Sequence, residues 1–272
     1  MRKPYRAARA LFLLALASPL GLAWLPAGRL SLLLPAGGPA DGLEPAFRSL
    51  LQSSFRQLSI TLGATLALAM TLTVALGYAS VLWQRFGRSG SSMLKAVESV
   101  PAILVALFFY APVSGYLARH SSDVSQLVSL IVFILAATLT MLPESVRGVA
   151  IPLGDLYHRK YSLSFRSYGF TKRRILAVLM ASQTMRGTLK RISAGILLKT
   201  LVLDCSFGFI IQLGFGSYGT PAHASSGALI AANRDALFEG GNPLLFWLPS
   251  LVLVAISTAF LLTRADRVEA AA

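Results

Sequence analysis

Two charged side chains stand inside an otherwise apolar run. Lys199 and Asp204 both lie within the stretch Ile192–Phe215. Ionisable groups in such a run line a substrate path, relay protons or pair with neighbouring helices. Five residues apart, they do not stack on one helix face, so each needs a partner from elsewhere. Lys199 is close enough to the start of the run to reach the membrane surface along its aliphatic stem. The expectation is interhelical pairing; the alternative is a coupling role for both groups.

The remaining reactive residues form no catalytic set. His120, His158 and His223 fall in separate stretches, without an H-E-x-x-H or a paired Cys/His spacing, so no bound catalytic metal is expected. Ser225 and Ser226 lie near His223 and Asp235. They would serve an intramembrane hydrolase, but no G-x-S-x-G elbow accompanies them and a polar loop accounts for them. Cys205 is the single cysteine and has no internal disulfide partner. No lysine is preceded by glycine, which rules out a G-x4-G-K-[ST] phosphate loop. No cofactor is expected on this chain, and ATP hydrolysis, if the system uses it, belongs to another chain.

The longest polar stretch, Pro143 to Arg191, holds ten lysines and arginines. Within it Leu163, Phe165 and Tyr168, then Ile175, Leu176 and Leu179, repeat at helical intervals. They predict two short amphipathic pieces around a turn at Gly169. Such a segment either lies on anionic lipid or offers apolar knobs with a cationic rim to a partner's groove.

The elements that carry these residues follow from composition. The chain has 272 residues, of which 55% are hydrophobic and only 13% charged. A soluble globular domain has roughly 25% charged residues, and this one lacks the polar surface to cover a core in water. Its mean hydropathy is +0.65. These values imply an all-α, polytopic membrane protein.

Six runs are long enough to cross roughly 30 Å of hydrocarbon as helix. They are about Ala10–Leu25, Leu58–Trp83, Pro101–Leu117, Val124–Leu142, Ile192–Phe215 and Leu244–Thr263. With the N-terminus in the cytoplasm, 19 lysines and arginines fall on the inner side and five on the outer side. That bias favours six transmembrane helices with both termini cytoplasmic. It also accounts for the formal charge of +14 without a nucleic-acid partner. A cleaved signal peptide is the rival reading of the N-terminus and would leave five spans. The expected organisation is residues 1–30 as cytoplasmic start and first span, 31–57 as an outer linker, and 58–263 as a five-helix core. The core includes the cytoplasmic loop 143–191, and residues 264–272 form a cytoplasmic tail.

Taken together, residues 46 to 262 resemble the permease subunits of ABC importers, in the dipeptide/oligopeptide/nickel branch. Phe47-Arg-Ser-Leu-Leu51 and Phe55-Arg-Gln-Leu-Ser-Ile60 resemble the lead into that family's second span, and Arg147-Gly148 its Arg-Gly turn. Leu213-Gly-Phe-Gly216, Pro221, Gly227-Ala-Leu229, Asn233-Arg-Asp235, Pro243 and Leu248-Pro249 resemble its outer loop and last span. Tyr161 to Gly169 follows the outline of its EAA-x3-G loop, with Leu163, Ser164 and Phe165 at the acidic-Ala-Ala positions. Ser226 replaces the family's tryptophan, and Thr263-Arg-Ala-Asp-Arg267 is a reduced form of its terminal motif. These departures mark a divergent member.

The resemblance implies a type I ABC importer permease fold in a bacterial inner membrane. It implies half of a translocation path for peptides or a similar small solute. It further implies a second permease subunit, ATP-binding cassette ATPase subunits, an outer substrate-binding protein and surrounding lipid as partners. The coupling loop to the ATPase would comprise Leu163, Ser164, Phe165, Arg166, Tyr168, Gly169, Lys172, Arg173 and Arg174. Phe165 and Tyr168 would be the knobs, Gly169 the turn, and the four cations the rim. A stand-alone secondary transporter using Lys199 and Asp204 is the alternative, although no inverted repeat is visible.

Overall fold

The computed structural model describes residues 20, 45–83, 101, 103–109, 123–210, 225–234 and 243–265, and every described element is helical. The first, α1, spans Pro45–Leu82. Its buried positions Ser54, Phe55, Leu58, Thr61, Leu62, Thr65, Ala69 and Thr73 recur at three- and four-residue intervals along one stripe. The stripe begins well before Leu58, so the helix takes in the second half of the stretch expected to be linker. Pro45 opens it, where a missing backbone N–H costs nothing.

The second, α2, spans Asp123–His158 and contains Pro143 and Pro152. At 36 residues it is about 54 Å long at 1.5 Å per residue. Pro143 was expected to end the fourth span, yet the helix runs through it for fifteen more residues. Prolines are tolerated in helices whose freed carbonyls find other partners and whose flanks are packed.

Two short helices follow, α3 (Lys160–Ser167) and α4 (Lys172–Met180), and then the long α5 (Gln183–Ile210). The sixth, α6, covers Ser226–Ala232, and α7 covers Leu244–Ala265. Ser225 caps α6 by accepting the Ala228 N–H at 3.2 Å, a role preferred for Ser at a helix start. Ser226 is buried with its Oγ 3.8 Å from Cys205 Sγ. Both serines therefore have structural work, while His223 and Asp235 lie outside the described residues.

Three helical stretches are long and apolar enough to cross a membrane: Ser49–Leu82, Leu130–His158 and Leu244–Leu262. Less than half of each apolar window is buried within the chain. Leu72, Leu76, Leu135, Leu139, Leu251 and Val254 point outward, as apolar side chains do where lipid is the solvent. Of the other expected spans, the fifth is helical to Ile210, where the described residues stop, and the third is helical over 103–109. The first lies outside the described residues apart from Leu20.

Packing fixes how these helices run. Ala69 shares a buried cluster with Ala137 and Met141, and eight residues on, Gly77 faces Val149. Thus α1 and α2 are parallel. Gly148 faces Ile192, while Met141 Sδ accepts from Thr200 Oγ1 at 3.6 Å, so α5 is antiparallel to α2. Leu253 and Ile256 of α7 close a second cluster with Phe55, Leu58, Leu62 and Leu201.

Helices α5 and α6 meet closely through glycine. A Cβ on Gly227 would stand 2.0 Å from the Cys205 carbonyl oxygen, a backbone atom that cannot step aside. Gly227→Ala should therefore lower the thermal midpoint in detergent by several degrees, the consequence of overpacking by about 1–3 kcal/mol. Gly154→Ala, where an added Cβ meets nothing within 4 Å, should leave the midpoint unchanged or raise it slightly.

Candidate functional site

The cationic segment folds into an elbow whose bend is written in the sequence. Tyr168 caps the C-terminus of α3, and Gly169 follows with φ +77°. The Gly169 N–H donates to Arg166 O at 2.9 Å, and the Phe170 N–H donates to Phe165 O at 3.1 Å. These two bonds define the Schellman ending, in which a left-handed glycine turns the last carbonyls back on the chain. Its usual apolar contact is present as well: the Phe165 and Phe170 rings meet edge to face at 5.8 Å. Thr171 then leads into α4.

One face of α4 is fully committed to the bundle. Ile175, Leu176 and Leu179 are buried with Val149, Leu153 and Leu156 of α2 and Met185 of α5. The other face holds Val178, half exposed, and the elbow itself presents Tyr168 at 81% exposure and Leu163 at 52%.

The nine residues expected to form the coupling surface divide into two groups. Leu163, Ser164, Tyr168, Gly169, Arg173 and Arg174 are exposed. Phe165, Arg166 and Lys172 turn toward the bundle. Phe165 packs on the α2–α4 cluster, so it props the elbow rather than projecting from it. Arg166 donates to Tyr157 O at 2.9 Å with its guanidinium 3.9 Å from the centre of the Tyr157 ring. Lys172 donates to Leu82 O at 2.9 Å, where a cation satisfies a carbonyl at the end of α1 and complements its dipole. Tyr78 of α1 donates from its hydroxyl to Arg173 O at 2.9 Å. The elbow is thus pinned to the ends of both α1 and α2. Sequence reasoning did not single out Tyr78 or Tyr157. Their only signal was position, each within a turn or so of the end of a long apolar helix.

The intramembrane pair resolves differently. Lys199 forms an ion pair with Glu144 of α2, not with Asp204. Both side chains are 45% exposed, and the pair ties α2 to α5. Sequence reasoning did not single out Glu144, whose signal was an acidic residue next to Pro143 at the end of an apolar run. Asp204 is buried at 7% exposure, and its Oδ2 accepts no hydrogen bond among the described residues. No group of three or more His, Cys, Asp or Glu residues suited to a metal occurs among the described residues.

Because nothing lies within 4 Å of a Cβ placed on Gly169, the penalty for replacing it is conformational alone. Gly169→Val should destabilise the elbow by about 1–2 kcal/mol, whereas Gly169→Asn, which tolerates the left-handed region, should cost much less. Protease nicking between α3 and α4 in detergent reads the difference, and equal protection of the two variants would contradict the turn's role.

The sequence matches no protein-family model and no curated protein.

Proposed function

We propose that this chain is the membrane-spanning permease subunit of an ATP-binding cassette importer, coupled through the α3–α4 elbow to a separate ATPase. The observation that carries the reading is the elbow's construction. It is locked to the ends of α1, α2 and α5 on one side and presents Tyr168 and Leu163, flanked by Arg173 and Arg174, on the other. An apolar knob with a cationic rim suits a groove on a partner protein. The resemblance of residues 46 to 262 to the dipeptide/oligopeptide/nickel permeases supports the same assignment.

In this reading the elbow is a lever. Closure of the ATPase subunits pulls on Tyr168 and its neighbours. The pull reaches α2 through Ile175, Leu176 and Leu179 and reaches α1 through Lys172 and Tyr78. Rigid tilting of packed helices then alternates access to the path. The path is completed by a second permease and supplied by an outer binding protein. The cargo is a peptide or a similar small solute, and the setting is a bacterial inner membrane with six spans and both termini cytoplasmic.

A second reading, a stand-alone secondary transporter, is favoured by one observation: the buried Asp204 carboxylate whose Oδ2 lacks a hydrogen-bond partner among the described residues. Such a group can hold a coupling cation or proton.

Affinity purification from gently solubilised native membranes separates the two. The importer reading expects an ATP-binding cassette subunit and a second permease to co-purify. Tyr168→Ala should reduce ATPase recovery at least tenfold, as loss of a central aromatic anchor does, without lowering the yield of this chain. Recovery of this chain alone would favour the second reading, provided that uptake then follows a proton gradient and is lost in Asp204→Asn.

A further inference from the structure

Three buried oxygens on three different helices have no partner. Thr65 Oγ1 of α1, Thr138 Oγ1 of α2 and Asp204 Oδ2 of α5 make no hydrogen bond among the described residues. Their residues are 0%, 2% and 7% exposed. Thr61 and Thr200, by contrast, donate their hydroxyls to the carbonyls four residues back, the ordinary outlet for threonine within a helix.

The packing brings the three to one level. Helices α1, α2 and α5 each contact the other two. At their junction Ala69 shares a buried cluster with Ala137 and Met141, and Thr200 donates to Met141 Sδ. From that junction Thr65 lies four residues back along α1, Thr138 three back along α2, and Asp204 four onward along α5. Steps of three or four keep a residue on the same helix face. Because α5 runs opposite to α1 and α2, all three steps go the same way, by about 4.5–6 Å at 1.5 Å per residue. A carboxylate and two hydroxyls, one group from each helix, therefore share one layer of the core.

The charge in that layer needs an answer. Lys199, the other ionisable residue of this run, is taken by Glu144, and a buried carboxylate without a counter-charge is costly. Protonation would remove the charge but leave both hydroxyls idle. A cation engages all three groups. Carboxylate and hydroxyl oxygens are hard donors, suited to alkali and alkaline-earth ions. One negative charge balances one positive charge, whereas a divalent ion would leave a net charge in the core.

We infer that Thr65, Thr138 and Asp204 form a binding site for a sodium ion that ties α1, α2 and α5 together. The site is separate from the elbow. It concerns binding and not coupling, so it holds whether the chain serves an importer or works alone.

Thermal midpoints of the purified full chain in detergent test it, measured in mixtures of sodium and choline chloride at fixed ionic strength. Sodium should raise the midpoint by several degrees over choline, and saturably, as binding to the folded state alone requires. Asp204→Asn should abolish that response. Should this variant fail to fold, Thr65→Val and Thr138→Val decide the matter. Each keeps the branching of the side chain and removes the hydroxyl, and each should weaken the apparent sodium affinity by about tenfold or more. Thr65→Ser, which restores the hydroxyl, should respond as the unaltered protein does. Thr73→Val removes another buried hydroxyl without a partner among the described residues. That residue stands four past Ala69, on the far side of the junction, so the sodium response should not change. Equal midpoints in sodium and choline would overturn the proposal and leave Asp204 a protonated acid. A response that survives in Asp204→Asn, or falls equally in Thr65→Val and Thr73→Val, would overturn it by placing the ion elsewhere.

Discussion

Helices α3 and α4 have eight and nine residues, too few to persist in water on their own propensity. What fixes them is the apolar seam of Ile175, Leu176 and Leu179 against Val149, Leu153, Leu156 and Met185. Burying each of those aliphatic side chains contributes roughly 1.5–3 kcal/mol. Every other feature of the elbow depends on that seam. The hydrogen bonds from Arg166, Lys172 and Tyr78 reach backbone carbonyls only because the seam holds the two short helices within range. The extension of α2 past Pro143 shares it, since Val149, Leu153 and Leu156 form the α2 side of the seam.

The electrostatics of the elbow run partly against the helix. Lys172, Arg173 and Arg174 occupy the first turn of α4, the end where the macrodipole favours anions. Lys172 is compensated by the carbonyl of Leu82, and Arg174 lies 4.9 Å from the centre of the Phe170 ring. Arg173 and Arg174 remain exposed. A local arrangement that costs stability is retained where it serves recognition. In the proposed function, the cations around Tyr168 would meet an acidic rim on the ATPase.

Much of this architecture was legible because helical periodicity survives in a lipid-solvated chain. The Gly169 bend and the amphipathic pieces on either side of it read directly from residue spacing, whereas the buried stripe from Phe55 to Thr73 did not, because its neighbours in an uncharged span are as apolar as it is. Nor did boundaries. Pro143 carries a strong signal for a helix end in water, and it misled because the packed flanks of α2 supply what the proline removes. Likewise the Pro- and Gly-rich character of residues 26–42 masked the start of α1 at Pro45. Pairings across helices were the least legible. Lys199 meets Glu144 because α2 and α5 run antiparallel, and no property of Lys199's own neighbourhood encodes that. The expected six spans would make α1 and α2 run parallel, and the contacts of Ala69 and Gly77 show that they do.

In the proposed function, Tyr168 sits in a groove of an ATPase subunit. The most direct test places a photo-reactive amino acid at position 168 in living cells and identifies what it captures on illumination. The importer account predicts a covalent adduct with an ATP-binding cassette protein, absent when the reactive group is moved to the buried position 176. Capture of lipid alone, with the elbow folded and the protein in its native membrane, would contradict it.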